Sequence, residues 1–206
     1  MHRTLNTLAL LVGALILAQA ASAQPDHTSQ APKLSRGLDL AFTYTPERAK
    51  FAGANCGCFW LQGGSIDAGF FVYHGLGFAA NLTAQHASDI SGKIDLGKTS
   101  YLFGPRYTLG TSKLFRMERE TSVFGEAFFG GMHGYDSMFP SGSTVNSSAN
   151  SFAMQIGGGF NMALAKGFGL RVIDAQYVRS SLPNNGSSTQ NDLRLGSGIT
   201  YRIRMH

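Results

Sequence analysis

Asp192-Leu193-Arg194-Leu195-Gly196-Ser197-Gly198-Ile199-Thr200-Tyr201-Arg202-Ile203 decides the fold. Leu193, Leu195, Ile199, Tyr201 and Ile203 fall on one side of a two-residue period. Arg194, Gly196, Gly198, Thr200 and Arg202 fall on the other. Only an extended strand sends alternate side chains to opposite faces. One face is bulky and apolar; the other mixes glycine, hydroxyl and charge.

The same pattern recurs in seven earlier segments, at 37–45, 59–72, 76–85, 99–109, 122–132, 151–163 and 170–179. Leu38, Leu40, Phe42 and Tyr44 share a face in the first, and Ile66, Ala68, Phe70 and Val72 in the second. Phe78, Ala80 and Leu82 do so in the third, and Tyr101, Phe103, Tyr107 and Leu109 in the fourth. In the fifth, Phe stands on both faces, with Val123, Ala127 and Phe129 opposite Glu126. Phe152, Ile156 and Phe160 oppose Gln155, Gly157 and Gly159; Ile173, Ala175 and Tyr177 oppose Asp174 and Gln176. Segments of about ten residues suit tilted strands that cross a bilayer, and the even count suits an antiparallel barrel. Pro105 falls inside the fourth segment and implies a bulge or strand end there.

The connections alternate in length. Tyr73-His74-Gly75 and Ala165-Lys166-Gly167 are tight; 46–55, 86–98, 133–150 and 180–191 are long, the last two rich in Ser, Asn and Gly. Short turns on the periplasmic side and long loops outside are the habit of outer-membrane barrels. The charged connection 110–121 is the exception.

His2 and Arg3, the apolar run 5–17 and the small-x-small Ala21-Ser22-Ala23 form a secretory signal peptide over 1–23. A polar, flexible lead-in over 24–35 follows, then the barrel over 36–206. The charged fraction is only 14%, against 26 Gly, 15 Phe and 7 Tyr, as expected of a sheet with lipid on one side and a crowded lumen on the other. The 17 basic residues are scattered among 12 acidic ones, which argues against nucleic-acid binding. Cys56 and Cys58, one residue apart, form a strained local disulfide or remain free thiols. Neither a metal site nor a cofactor is expected.

The apolar face is too bulky to fill an eight-stranded interior, so it faces lipid, and the face of small and polar residues lines the lumen. Tyr44, Tyr101, Tyr107, Tyr177 and Tyr201 suit interfacial girdles. Arg171 and Arg179 share the parity of Ile173 and suit snorkelling to the headgroups. Asp39, Asp67, Arg106, Glu126, Asp174 and Arg194 point inward. Buried charges must pair, so they read as an ion-pair plug that fixes register, or else as a gated pore or proton path.

Three stretches carry a family resemblance: 101–107 (YLFGPRY), 125–131 (GEAFFGG) and 198–203 (GITYRI). With them the chain resembles the small OmpA-type and OmpX-type outer-membrane barrels. The last stretch is similar to the signal read by the barrel assembly machinery, although Arg204, Met205 and His206 run past it. The resemblance implies an all-β, eight-stranded, antiparallel up-and-down transmembrane barrel in the bacterial outer membrane, with both termini periplasmic. It implies outer-membrane lipid as surroundings and the assembly machinery as a partner during insertion.

The expected role is structural or surface-directed, with no catalytic residues. One alternative is a lipid-modifying barrel enzyme, with His86, Ser88 and Glu126 as its candidates; His74 and His133 read as turn and loop residues. The other is a soluble lipocalin-like binding barrel. The polar tips at Asn146, Ser147, Asn184, Asn185 and Ser187 could meet sugars or other surface partners, or simply be solvated.

Overall fold

A computed structural model describes residues 37–50, 57–90, 94–111, 119–141, 144–165, 167–183 and 188–204. The stretches expected to be a signal peptide and a lead-in, Cys56, the expected loop tips Asn184, Asn185 and Ser187, and most of the connection 110–121 lie outside the described residues.

Among the described residues there are eleven strands: β1 (Gly37–Tyr44), β2 (Glu47–Lys50), β3 (Cys58–Tyr73), β4 (Leu76–Ile90), β5 (Ile94–Gly110), β6 (Thr121–Tyr135), β7 (Phe139–Ser141), β8 (Thr144–Asn146), β9 (Ala149–Ala165), β10 (Phe168–Ser180) and β11 (Gln190–Arg204). β1 and β2 both pair with β3 on one side and β11 on the other. They form one wall position, so the wall is a closed ring of eight antiparallel strands. β7 and β8 form a separate hairpin within the connection from β6 to β9.

The structure corrects two sequence readings, the end of the first segment at Thr45 and an interruption at Pro105. The first segment does not end at Thr45. Pro46 removes one donor, yet the ladder continues across it through Thr45 N–H to Gly63 O and Leu195 N–H to the Pro46 carbonyl, both at 2.9 Å. The wall therefore runs on to Lys50. Pro105 makes neither a bulge nor a strand end. It lies opposite Phe78, and the β5–β6 register is the same on both sides of it, from Phe103 opposite Phe129 to Arg106 opposite Glu126. Losing one N–H opens a single rung, and the long ladders on either side hold the strand in line.

The turn between β3 and β4 is a two-residue hairpin with both central residues at positive φ, His74 at 41° and Gly75 at 87°. This type I′ geometry matches the strand twist. A Cβ on Gly75 would stand 2.2 Å from the Thr108 carbonyl oxygen, so glycine is required there twice over.

One row of ladder partners circles the barrel. It runs from Phe71 to Gly77, Arg106, Glu126, Gly157, Gln176, Arg194 and Glu47, and returns to β3 at Leu61. The return is ten residues from the start (Phe71 to Leu61), so the strands are staggered and tilt strongly against the barrel axis. All the charged residues of this row point inward.

The barrel is inside-out relative to a soluble protein. Phe103 is 58% exposed and Phe129, on β6, is 48% exposed, whereas the next residue along β6, Phe128, is fully buried. Phe42, Ile66, Phe78, Leu82, Phe152, Ile156 and Ile199 are exposed on the outside, while Thr83, Gln85, Lys98, Gln155 and Asp67 are buried inside. A continuous apolar belt on the outside of a closed barrel is a lipid-facing surface. Apolar residues outside and polar residues inside are the reverse of a soluble binding barrel, and that alternative is set aside.

Candidate functional site

The lumen carries the chemistry of this chain. Towards the short-turn end, Arg106 from β5 sits between Asp67 of β3 and Glu126 of β6. It contacts Asp67 through Nη2 and donates from Nε to Glu126 Oε2 at 2.6 Å. Arg171 of β10 reaches Asp174 at 3.1 Å and Asp67 at 3.6 Å. Amides complete the shell. Asn81 donates to Asp67 at 2.7 Å, and Gln176 donates to Glu126 at 2.7 Å and to Asp174 at 2.5 Å. Both guanidiniums lie over the Phe124 ring, Arg171 at 4.5 Å and Arg106 at 5.1 Å, a favourable arrangement for a cation away from water.

A second cluster lies towards the long-loop end. Lys98 of β5 donates to Glu47 of β2 at 2.5 Å and to Asp192 of β11 at 2.8 Å. Arg194 of β11 donates to Glu47 at 2.9 Å, Gln155 at 2.9 Å and Thr83 at 3.2 Å. Gln155 of β9 joins the clusters by donating to Glu126 at 3.3 Å. The result is one connected network drawn from every wall position. Room for it comes from small residues. A Cβ on Gly157 would meet Gln176 Oε1 at 2.2 Å, and one on Gly69 would meet Arg106 Nη1 at 3.1 Å.

Above the charges the lumen turns apolar. Leu102, Phe128, Met132, Val178 and Leu182 form a buried cluster with Phe139 of the β7–β8 hairpin. Leu61, Ala49, Ala87 and Ile90 form another, and Leu96 packs against both.

Of the six charges read from sequence as inward, Asp67, Arg106, Glu126, Asp174 and Arg194 are buried and Asp39 is half-buried. Asp67, Arg106, Glu126 and Asp174 meet in the first cluster, and Arg194 stands in the second. Asp39 joins neither; it faces Arg202 directly across the β1–β11 ladder in a bidentate pair at 2.7 and 2.8 Å near the short-turn end. Sequence reasoning missed Glu47, Lys98, Asp192 and Arg171. The first two had been placed in connections, yet Lys98 has the parity of Arg106 and Glu47 that of Thr43. Asp192 has the parity of Arg194. Extending the period would have found Glu47 and Lys98, and parity within the quoted strand would have found Asp192.

Arg171 is a correction: it does not snorkel to lipid but is buried in the lumen. The β10 register shifts between Arg171 and Asp174, and both Val172 and Ile173 face outward. This bulge turns the parity over, so Arg171 and Asp174 point inward together. Arg179, beyond the bulge, is exposed as expected.

His86 and Ser88 lie side by side on the outer face of β4, with Nε2 and Oγ 3.0 Å apart. Glu126 is buried on the other side of the wall, so the three do not assemble. His133 pairs with Asn150 across the β6–β9 ladder at 2.8 Å. Among the described residues no cluster of His, Cys, Asp or Glu could hold a metal ion.

Fold and lumen together define a small, closed transmembrane barrel with a filled interior, the plan of the OmpA-type and OmpX-type outer-membrane barrels. No family model matches the chain, and no curated protein matches it. Solved structures do. The attachment invasion locus protein Ail of Yersinia pestis, in complex with the heparin analogue sucrose octasulfate, is 18% identical over 82% of this chain and 100% of its own, with a TM-score of 0.52. Neisserial surface protein A is 16% identical over 82% of this chain and 97% of its own, with a TM-score of 0.50. At these identities the likeness is one of fold.

Proposed function

We propose that the chain is a non-conducting barrel of the bacterial outer membrane, whose role is structural or directed at surface contacts. One observation carries this reading: among the described residues a connected, buried ion-pair network crosses the lumen, with buried apolar clusters beside it towards the long loops. An ion entering from the long-loop side would have to cross a dry apolar stretch and then displace paired charges, both expensive steps. The network acts as a plug that pins the register of all eight wall positions. The surface name of one neighbour and the attachment name of the other support a role for the long-loop end in contact, with a partner still to be identified. The partners proposed during biogenesis are outer-membrane lipid and the barrel assembly machinery, the latter reading Gly198 to Ile203.

The test is fractionation followed by planar-bilayer recording. The protein should be found in the outer-membrane fraction with a heat-modifiable gel band, and should give no steady conductance. A stable open channel would overturn the plug. The neighbours' likeness and the separation of Glu126 from His86 and Ser88 both favour a non-enzymatic role. Ser88→Ala should therefore leave the lipid profile of the cell unchanged.

A further inference from the structure

The long-loop rim of the barrel is not electrically uniform. Arg48, Lys50 and Arg179 are all exposed on the outer face, carried by β2 and β10, with only β11 between them. Arg48 lies opposite Leu193 on one side and Trp60 on the other, and Tyr177 lies opposite Leu193. One outward row therefore reads Tyr177, Leu193, Arg48, Trp60 across four neighbouring strands. One step further towards the loops, Arg179 lies opposite Asn191, whose side-chain oxygen accepts from the Tyr177 hydroxyl at 2.6 Å. Lys50 is the next outward residue after Arg48.

These three cations have no carboxylate within ion-pair distance among the described residues, unlike the lumen cations. In sequence, segments 51–56 and 184–187 contain no acidic residue. The exposed Asp95 stands on β5, the strand opposite β11 in the ring of eight. The patch is continuous below with the apolar belt, through Ile156, Tyr177, Leu193 and Leu195. Cations on an outer face, directly above lipid-facing aromatics, have one neighbour of complementary charge: the headgroup of a membrane lipid.

We propose that Arg48, Lys50 and Arg179, framed by Trp60 and Tyr177, form a seat on the barrel exterior for the phosphate-bearing headgroup of an anionic lipid in the surrounding leaflet. The inference rests on the membrane-barrel reading above. The arginines suit phosphate through forked donation, and the aromatics hold the glycerol or sugar level of the lipid.

Trp60 is the chain's only tryptophan and stands beside Arg48, so it reports on the seat. The refolded protein is placed in phosphatidylcholine vesicles that contain a minor fraction of brominated phosphatidic acid, or the same fraction of brominated phosphatidylcholine. Bromine quenches a nearby indole, so quenching measures local enrichment. With about one kcal-scale attraction per surface cation, local enrichment of the anionic lipid by about fivefold or more is expected, weakening at high salt. The Arg48→Gln, Lys50→Gln, Arg179→Gln triple variant should lose the preference, while Arg48→Lys with Arg179→Lys keeps most of it. Equal quenching by both lipids, or a preference that survives the triple variant, would overturn the seat alone. Absence of quenching in vesicles made wholly of brominated phosphatidylcholine would overturn the membrane reading and the seat with it.

Discussion

Replacing Arg106 by leucine strips the first lumen cluster of its central cation and leaves two carboxylates in place. Removing one partner of a buried pair destabilises by about 3–5 kcal/mol, because the other is left uncompensated. The surroundings set where in that range the loss falls. Asp67 keeps Asn81 at 2.7 Å and Arg171 at 3.6 Å. Glu126 keeps Gln176 at 2.7 Å and Gln155 at 3.3 Å. Those contacts place Arg106→Leu near the low end, about 3 kcal/mol, or about a hundredfold in the folding equilibrium. Urea titration of the vesicle-inserted protein, read by Trp60 fluorescence and by the heat-modifiable gel shift, measures the loss. With a slope of about 1–3 kcal/mol per molar urea, the midpoint should fall by about 1–3 M. Adding Glu126→Gln to the variant removes one stranded charge but keeps an acceptor for the two glutamines. The double variant should therefore be more stable than Arg106→Leu alone. A single variant within about 0.5 kcal/mol of the parent, or a double variant worse than the single, would refute the view that these groups are dry and mutually compensating.

Lys98→Met should destabilise by about 3–5 kcal/mol in the same assay, since Asp192 then has no cation and Glu47 has only Arg194. Phe103→Arg, on the exposed face of β5, should destabilise the inserted barrel by about 2–4 kcal/mol near the bilayer midplane, and Thr108→Val, facing inward on the same strand, by less. Gly75→Ala should slow refolding and destabilise by about 1–3 kcal/mol through the left-handed turn; Gly125→Ala, where the nearest atom to a new Cβ is 3.9 Å away, should be tolerated.

The alternation of 192–203 was enough to read the wall, because a closed sheet forces every second residue to the same side and lipid demands bulk there. The inward charges Asp67, Arg106, Glu126, Asp174 and Arg194 were legible for the same reason: parity alone assigns them. What parity could not give was the end of each strand. The wall strands overrun the apolar belt towards the long loops, where the outward residues become polar and the pattern fades, so Glu47 and Lys98 were lost in connections. Pro46 and Pro105 look like breaks because each lacks a donor, yet one missing rung is small beside ladders of a dozen. Arg171 was beyond reach for a different reason. A bulge at Val172 and Ile173 resets the period, and nothing in that stretch marks it. The pairing of Asp39 with Arg202, rather than with the central cluster, depends on the ring closing β1 against β11, a tertiary fact.

Two adjacent residues of β6 distinguish a wall with lipid on one side and a dry lumen on the other from any other arrangement. In a Trp60→Phe background, Phe129→Trp places an indole on the exposed outer face and Phe128→Trp places one at a fully buried lumen position. In vesicles of brominated phosphatidylcholine, the F129W variant should be strongly quenched and the F128W variant hardly at all. Equal quenching at both positions, or quenching of the F128W variant alone, would contradict the account.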